Sequence, residues 1–126
     1  MDISRLKKDD LRVWVPLFEG VEVLCRYIPQ TEFDKILAES KEIKFHPKSH
    51  QKQEVQDPKA FRSALARAVV QDWRGLKDGA ADFPCTPENI DYLMEELTDF
   101  RTLVTGVPLS LEKMIEVEKA ALEKNS

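Results

Sequence analysis

The sequence lacks the long apolar runs that mark membrane-spanning and secreted proteins. No stretch approaches the roughly 20 consecutive apolar residues that a membrane helix needs, and the polar N-terminus contains no apolar core of signal-peptide length. Cysteine is also scarce. The sequence holds two cysteines, Cys25 and Cys85, which lie far apart and show no CxxC spacing. These absences predict a cytoplasmic protein whose two cysteines are buried free thiols, with a disulfide as the alternative.

The sequence also lacks an excess of positive charge. The formal net charge is -4; the residues up to Asp57 include 10 basic and 11 acidic ones, and the remainder includes 9 and 12. Neither part forms the basic stripe that nucleic-acid binding requires. We therefore expect no nucleic acid and no membrane as a partner, and a basic or exposed apolar protein surface fits this charge better.

Sequence motifs for catalysis, nucleotide binding and metal binding are absent. We find no nucleophile elbow, phosphate loop, dinucleotide fingerprint or His-Glu metal helix. His46 and His50 are four residues apart and could share a metal, but Pro47 between them argues against a helix that presents both. A calcium loop starting at Asp78 is excluded because its third position holds Ala80 and its twelfth holds Asn89 in place of the required glutamate.

Cys85 is the one residue with a possible reactive role. It directly precedes a predicted helix start, which could lower the pKa of its thiol. This position indicates mild reactivity and not an enzyme, because the only histidines lie in another segment. We expect no catalysis, no cofactor, no metal and no small-molecule substrate; a metal or thiol enzyme is the weakest-supported alternative.

The composition fits one globular domain over residues 1–126, with 42% hydrophobic and 33% charged residues. Residues 1–42 are predicted to form a β-hairpin followed by the first helix. Apolar residues alternate on either side of a turn at Gly20, and Pro16 indicates an edge strand or a bulge because proline cannot donate to the ladder. The helix after Thr31 buries Phe33 and Ile36.

The remaining chain is predicted to be a mobile loop followed by helices. Residues 43–57 are rich in Lys, Gln and His and show no periodicity, which indicates an irregular mobile segment. Asp57 and Pro58 then open a helical part over residues 58–126, with about four helices. The predicted fold class is therefore α+β, with an N-terminal hairpin or small antiparallel sheet packed against a mainly helical C-terminal part.

The stretch from Asp72 to Asn89 links two strongly helical segments and holds half of the glycines. The spacing of apolar residues predicts that one helix ends near Trp73 and that Thr86-Pro87-Glu88 opens the next. Trp73 is either a core residue that fixes this elbow or a hot spot for a partner. The final helix, through Met114, carries more apolar residues than a solvated helix needs, so it packs either on a partner or on its own domain.

The same stretch carries a family resemblance. A helix ending in Asp72-Trp73-Arg74-Gly75, a short Gly/Asp/Phe loop and then Pro-Cys-Thr-Pro-Glu-Asn before an amphipathic helix resembles the tail assembly chaperones of long-tailed bacteriophages. The resemblance covers roughly residues 10–107 and is densest from 60 to 100. It implies a protein that binds the helical, aggregation-prone tape-measure protein before tail tube subunits polymerise, that is absent from the finished virion, and that often has a longer, frameshifted form.

The resemblance also implies how such a partner is bound. Several copies, as a homo-oligomer, would present apolar helix faces with acidic rims to an extended helix, and the methionines would adapt to varied partners. The alternatives are a structural tail or head-completion protein and a bacterial adaptor domain. The candidate partner-binding residues are Trp73, Phe83, Met94, Leu97, Met114, Ile115 and Leu122.

Overall fold

The computed structural model describes residues 11–45, 48–49 and 51–124, which form strands and helices in a mixed order. The strands are β1 (Arg12–Phe18), β2 (Val21–Arg26), β3 (Lys41–Phe45), β4 (Lys52–Gln56), β5 (Val70–Arg74), β6 (Lys77–Asp78) and β7 (Ala81–Asp82). The helices are α1 (Gln30–Glu39), α2 (Pro58–Val69), α3 (Pro87–Glu96), α4 (Thr98–Val104) and α5 (Leu111–Lys124), with a 3-10 turn at Val107–Leu109.

The N-terminal hairpin forms as the alternating pattern predicts. β1 pairs antiparallel with β2, with Val15 opposite Val23, and both side chains are buried. In the described residues β1 is an edge of the sheet, whose strand order is β1-β2-β5, and the register shifts between Pro16 and Phe18. The prediction that Pro16 marks an edge strand or a bulge is therefore confirmed, since both features occur there.

The prediction that a helix continues to about Trp73 is wrong. α2 ends at Val69, and the chain continues as β5, which pairs antiparallel with β2 and places Trp73 opposite Val23. Apolar residues at positions 69 and 73 fit a helical stripe, but β2 offers a second edge of unpaired backbone groups. Pairing with that edge overrides the local helical pattern, because strand formation depends on the tertiary surroundings.

The prediction of an irregular loop over residues 43–57 is also wrong for residues 43–45 and 52–56, which lie in paired strands. β3 and β4 form an antiparallel ribbon with Lys41 opposite Gln56. The base of the ribbon is held by Ser40, whose hydroxyl donates to Ile36 O (2.7 Å) and whose carbonyl accepts from Asp57 N (3.1 Å). Polar residues on both strand faces hide the period of two that identifies a strand. His46 and His50 lie outside the described residues.

The predicted cap-and-proline starts of two helices are confirmed. The Asp57 side chain accepts hydrogen bonds from Lys59 N and Ala60 N at the start of α2, and Thr86 Oγ1 accepts from Asn89 N (3.2 Å) at the start of α3. These bonds satisfy amide groups that have no partner inside the helix.

The core lies between the inner face of the three-stranded sheet and helices α2 to α5. In the described part of the chain, no helix is both long and apolar enough to cross a bilayer. The predicted α+β class is confirmed by the small antiparallel sheet and the helices packed on it. The largest fully buried side chains include those of Phe100, Ile28, Leu65, Met94 and Met114.

We predict that Gly75→Ala destabilises the protein more than Gly79→Ala does. Gly75 has φ +89°, and a Cβ there would lie 2.0 Å from the backbone O of Gly20 in the β1–β2 turn. The free energy of unfolding should fall by more than about 2 kcal/mol, from strain and overlap together. Gly79 is the matched control, because its φ is +62° but a Cβ would meet nothing within 4 Å, so only the conformational cost of about 1 kcal/mol remains.

Urea denaturation followed by circular dichroism measures both changes. Equal losses of stability in the two variants would contradict a close approach of Gly75 to the β1–β2 turn.

Candidate functional site

Trp73 fixes the elbow between the sheet and α3. Its side chain is only 6% exposed, its indole Nε1 donates to Phe83 O (2.6 Å), and its ring stacks on that of Phe83 with 5.7 Å between centroids. The buried Phe100 ring packs edge-on against the indole, with 6.0 Å between centroids. Trp73 therefore has the position that the core interpretation predicts.

The row of aromatic rings continues to the surface through Tyr92. The Phe83 and Tyr92 centroids are 6.4 Å apart with 59° between the ring planes, and Tyr92 is 59% exposed. Apolar periodicity does not identify Tyr92, because Tyr92 lies on the polar side of α3, off the stripe formed by Ile90, Leu93 and Met94. A large aromatic residue on the polar side of an amphipathic helix is the signal that identifies it.

The structure distributes the seven predicted contact residues between core and surface. Trp73, Met94 and Met114 are buried, whereas Phe83, Leu97 and Ile115 are partly buried and Leu122 is 63% exposed. Phe83 contacts Trp73, but Ile115 and Leu122 belong to a different element, α5. A role in partner binding stays a prediction for all seven, and the three buried ones present almost no surface in this conformation.

A groove of about 740 Å³ lies between β1 and the second half of α5. Its apolar lining combines large side chains of β1 with small ones of α5, and Phe18 at the end of β1 is 42% exposed. Charged residues of both signs complete the lining. The lining residues are Trp14, Pro16, Leu17, Phe18, Glu19, Gly20, Glu22, Arg74, Val117, Ala120, Ala121 and Lys124.

Helical spacing explains which part of α5 faces the groove. Val117, Ala120, Ala121 and Lys124 follow the i, i+3, i+4, i+7 pattern and so lie on one side of the helix. Leu122 lies about 100° from Ala121 around the helix axis, on a different side. The sequence-predicted residue Leu122 is therefore not part of this groove.

The β1 side of the groove is an uncovered strand edge in the described chain. Tyr27 N donates to Leu11 O (2.9 Å), and the ladder continues with Arg12 opposite Arg26. Because antiparallel pairs alternate between bonded and non-bonded, the backbone groups of Arg12, Trp14 and Pro16 point away from β2. Pro16 has no N–H to offer, so this edge is poorly suited to continuous pairing with a further strand.

Charge contacts hold the Trp14 wall of the groove. The Arg74 guanidinium carbon lies 4.2 Å from the centre of the Trp14 ring, and Arg74 Nη2 lies 2.7 Å from Glu22 Oε1. A cation above an aromatic face is attracted to it. Arg74 thus joins a residue of β5 to both strands of the hairpin.

Both cysteines are free thiols, and neither is activated. Burial raises the pKa of the Cys25 thiol to about 12. Burial, with a contribution from the negative charge of Asp72, raises the pKa of Cys85 to about 11. The expectation that the helix start lowers the pKa of Cys85 is wrong, because burial of the thiol and the negative charge of Asp72 both raise it.

Metal ligands do not converge in the described residues, where no group of three or more His, Cys, Asp or Glu side chains could hold an ion. What the described surface offers is a groove and an exposed aromatic side chain, both suited to contacts with another macromolecule.

Comparison with known families places the chain among prophage proteins. The model of the YdaY prophage protein family matches residues 29–125, which is 97 of the 126 residues. The chain belongs to this family, and the predicted phage or prophage origin is confirmed. No curated protein and no solved structure matches the chain.

We predict that Trp73→Phe lowers the free energy of unfolding by about 2 to 3 kcal/mol, because it leaves a cavity and an unpaired Phe83 carbonyl. Tyr92→Ala should cost less than about 1 kcal/mol, since Tyr92 is largely exposed. Far-UV circular dichroism during urea titration measures both variants. Similar losses at the two positions would show that the elbow does not depend on Trp73.

We also predict that Cys85 reacts slowly with an aromatic disulfide reagent at neutral pH. In a Cys25→Ala variant, the reaction rate of Cys85 should still be increasing above pH 9.5, because the pKa of Cys85 is about 11. The control is a short cysteine peptide, whose rate levels off above the ordinary thiol pKa of 9.0. A plateau for the protein at the same pH as for the peptide would contradict the raised pKa.

Proposed function

We propose that this prophage protein is a tail assembly chaperone that binds the tape-measure protein in the host cytoplasm and is absent from the mature virion. The carrying observation is the apolar groove between β1 and α5, with its lining of large β1 side chains and small α5 side chains. Membership of a prophage family and the resemblance around the elbow support the same function.

The chemistry of the groove favours an amphipathic helix as the occupant. Small residues on α5, such as Ala120 and Ala121, allow a second helix to approach closely, while Trp14 and Phe18 provide apolar contact area. Glu19 and Lys124 place both signs of charge in the lining, where they can meet the polar side of a bound helix. A long helical partner would repeat such contacts along its length, so several copies would bind it with high avidity.

The proposed role is non-catalytic. The raised pKa values of Cys25 and Cys85 leave both thiols protonated near neutral pH, which makes them poor nucleophiles. In this proposal the protein contributes binding energy, by keeping apolar surface of the partner away from water and from other copies.

We test the proposal by co-expressing the chain with the longest open reading frame just downstream. Size-exclusion chromatography with light scattering then measures the soluble complex and its stoichiometry. Several copies of this chain per partner are expected. If the partner stays insoluble while this chain elutes alone, the proposal fails in this form.

Mass spectrometry of purified virions separates a chaperone from a structural tail or head-completion protein. Absence of the chain from mature particles is the expected result, and its stoichiometric presence would favour the structural role.

We predict that Ala120→Arg lowers the yield of soluble partner by at least about tenfold. The long side chain would occupy the groove and place a charge where the partner's apolar residues are proposed to pack. Ala120 is exposed on α5, and arginine is a good helix former, so folding should be preserved. Ala38→Arg is the matched control, since Ala38 is also exposed on a helix but lies on α1. Equal yields from the two variants would exclude the groove as the binding site.

A further inference from the structure

Charge is unevenly distributed along the chain. Residues 41–56, which contain the β3–β4 ribbon, hold four lysines and two glutamates, whereas the rest of the chain holds 15 basic and 21 acidic residues. The ribbon is therefore a locally basic element on an acidic protein. Two-stranded ribbons are only marginally stable in water, so contact with another surface would stabilise this one.

One face of the ribbon carries a defined charge pattern. The register places Lys41 opposite Gln56 and Ile43 opposite Glu54, with Lys52 two residues from Glu54 on the same face. Lys41, Glu54 and Lys52 are all exposed, and Lys41 Nζ lies 4.0 Å from Glu54 Oε2. Lys52 pairs with Phe45, which follows Lys41 by four residues on β3. The two lysines are therefore about 13 Å apart along the ribbon.

The outer side of α3 carries the opposite pattern. Glu88, Tyr92 and Glu96 are exposed and follow each other at intervals of four residues, which places them along one side of the helix. Glu88 and Glu96 are about 12 Å apart along the axis. Tyr92 between them rests against Phe83 at 6.4 Å between ring centroids, which restrains its position.

The other two carboxylates in the middle of α3 are already engaged by α2. Arg67 Nη2 lies 2.6 Å from Asp91 Oδ2, and Arg62 Nη2 lies 3.3 Å from Glu95 Oε1. These pairs fix the orientation of α3 and direct Asp91 and Glu95 toward α2. Glu96 and Glu88 carry the outward charge of the helix, and the charge of Glu88 also acts on Arg67 of α2.

We propose that the ribbon of one copy docks on the outer side of α3 in the next copy. The spacing of Lys41 and Lys52 matches the spacing of Glu88 and Glu96, so both ion pairs can form at once. Glu54, between the lysines, then faces Tyr92, whose phenol can donate a hydrogen bond to a carboxylate. The proposal goes beyond the chaperone function and does not depend on it, since it concerns only contacts between copies of this chain.

The two docking surfaces differ, so the contact is head-to-tail. Each copy retains an unused ribbon at one end and an unused α3 surface at the other. Such contacts produce a ring when the rotation closes and an open chain of copies when it does not. Association should weaken as salt is added, because exposed charges are screened over a Debye length of about 8 Å at physiological ionic strength.

The test is a charge swap measured by sedimentation velocity over a range of protein concentrations. K41E/K52E gives a copy in which both surfaces are acidic, and E88K/E96K gives one in which both are basic. Each variant alone should associate at least about tenfold more weakly than the wild type, because like charges face each other across the contact. An equimolar mixture of the two variants should restore association, since each acidic surface again meets a basic one.

E112K/E116K on α5 is the matched control, because it makes the same charge change at two exposed glutamates four residues apart. It should associate like the wild type. The proposal is overturned if the wild type is monomeric at all concentrations, if the ribbon and α3 variants associate normally, or if their mixture does not associate. Restored association also shows that both variants are folded.

Discussion

The pairing of β5 with β2 is the constraint on which the arrangement of the other elements depends. It places Trp73 opposite Val23 on the inner face of the sheet, and the indole N–H then reaches Phe83 O at 2.6 Å. This bond ties the chain after β7 back to the sheet and sets where α3 can begin. A helix continuing through Trp73 would instead leave the second edge of β2 with unsatisfied backbone groups.

The same pairing positions two candidate binding surfaces, the groove between β1 and α5 and the surface around Tyr92 on α3. Arg74 follows Trp73 in β5 and lies over Trp14, which forms a wall of the groove. On the other side, Phe83 stacks on Trp73 and contacts Tyr92. The exposed residues of these surfaces contribute little to the core themselves, yet their positions are set by it. A binding surface of this kind can change in sequence without loss of the fold.

Local signals in the sequence predicted the parts of the fold that local chemistry determines. Alternating apolar residues identified β1 and β2, and Pro16 identified the edge. β5 could not be predicted in this way because its partner strand lies far away in sequence, and residues 69 and 73 also fit a helical stripe. β3 and β4 were missed because polar residues occupy both faces of the ribbon, and the alternation of Ile43 and Phe45 with charged residues is too short to identify a strand.

The candidate site shows a similar limit. Helical periodicity shows that the stripes containing Met94 and Met114 are covered, but it does not distinguish cover by the same domain from cover by a partner. In the structure the domain itself covers both methionines. Tyr92 was missed because its side chain lies off the apolar stripe of α3. The groove was missed because its lining residues come together only through the folding of the sheet and α5.

The family match begins at residue 29, so it includes the ribbon and α3 but not β1. The matched segment contains both proposed surfaces for contact between copies, and of the groove it contains the α5 side and Arg74.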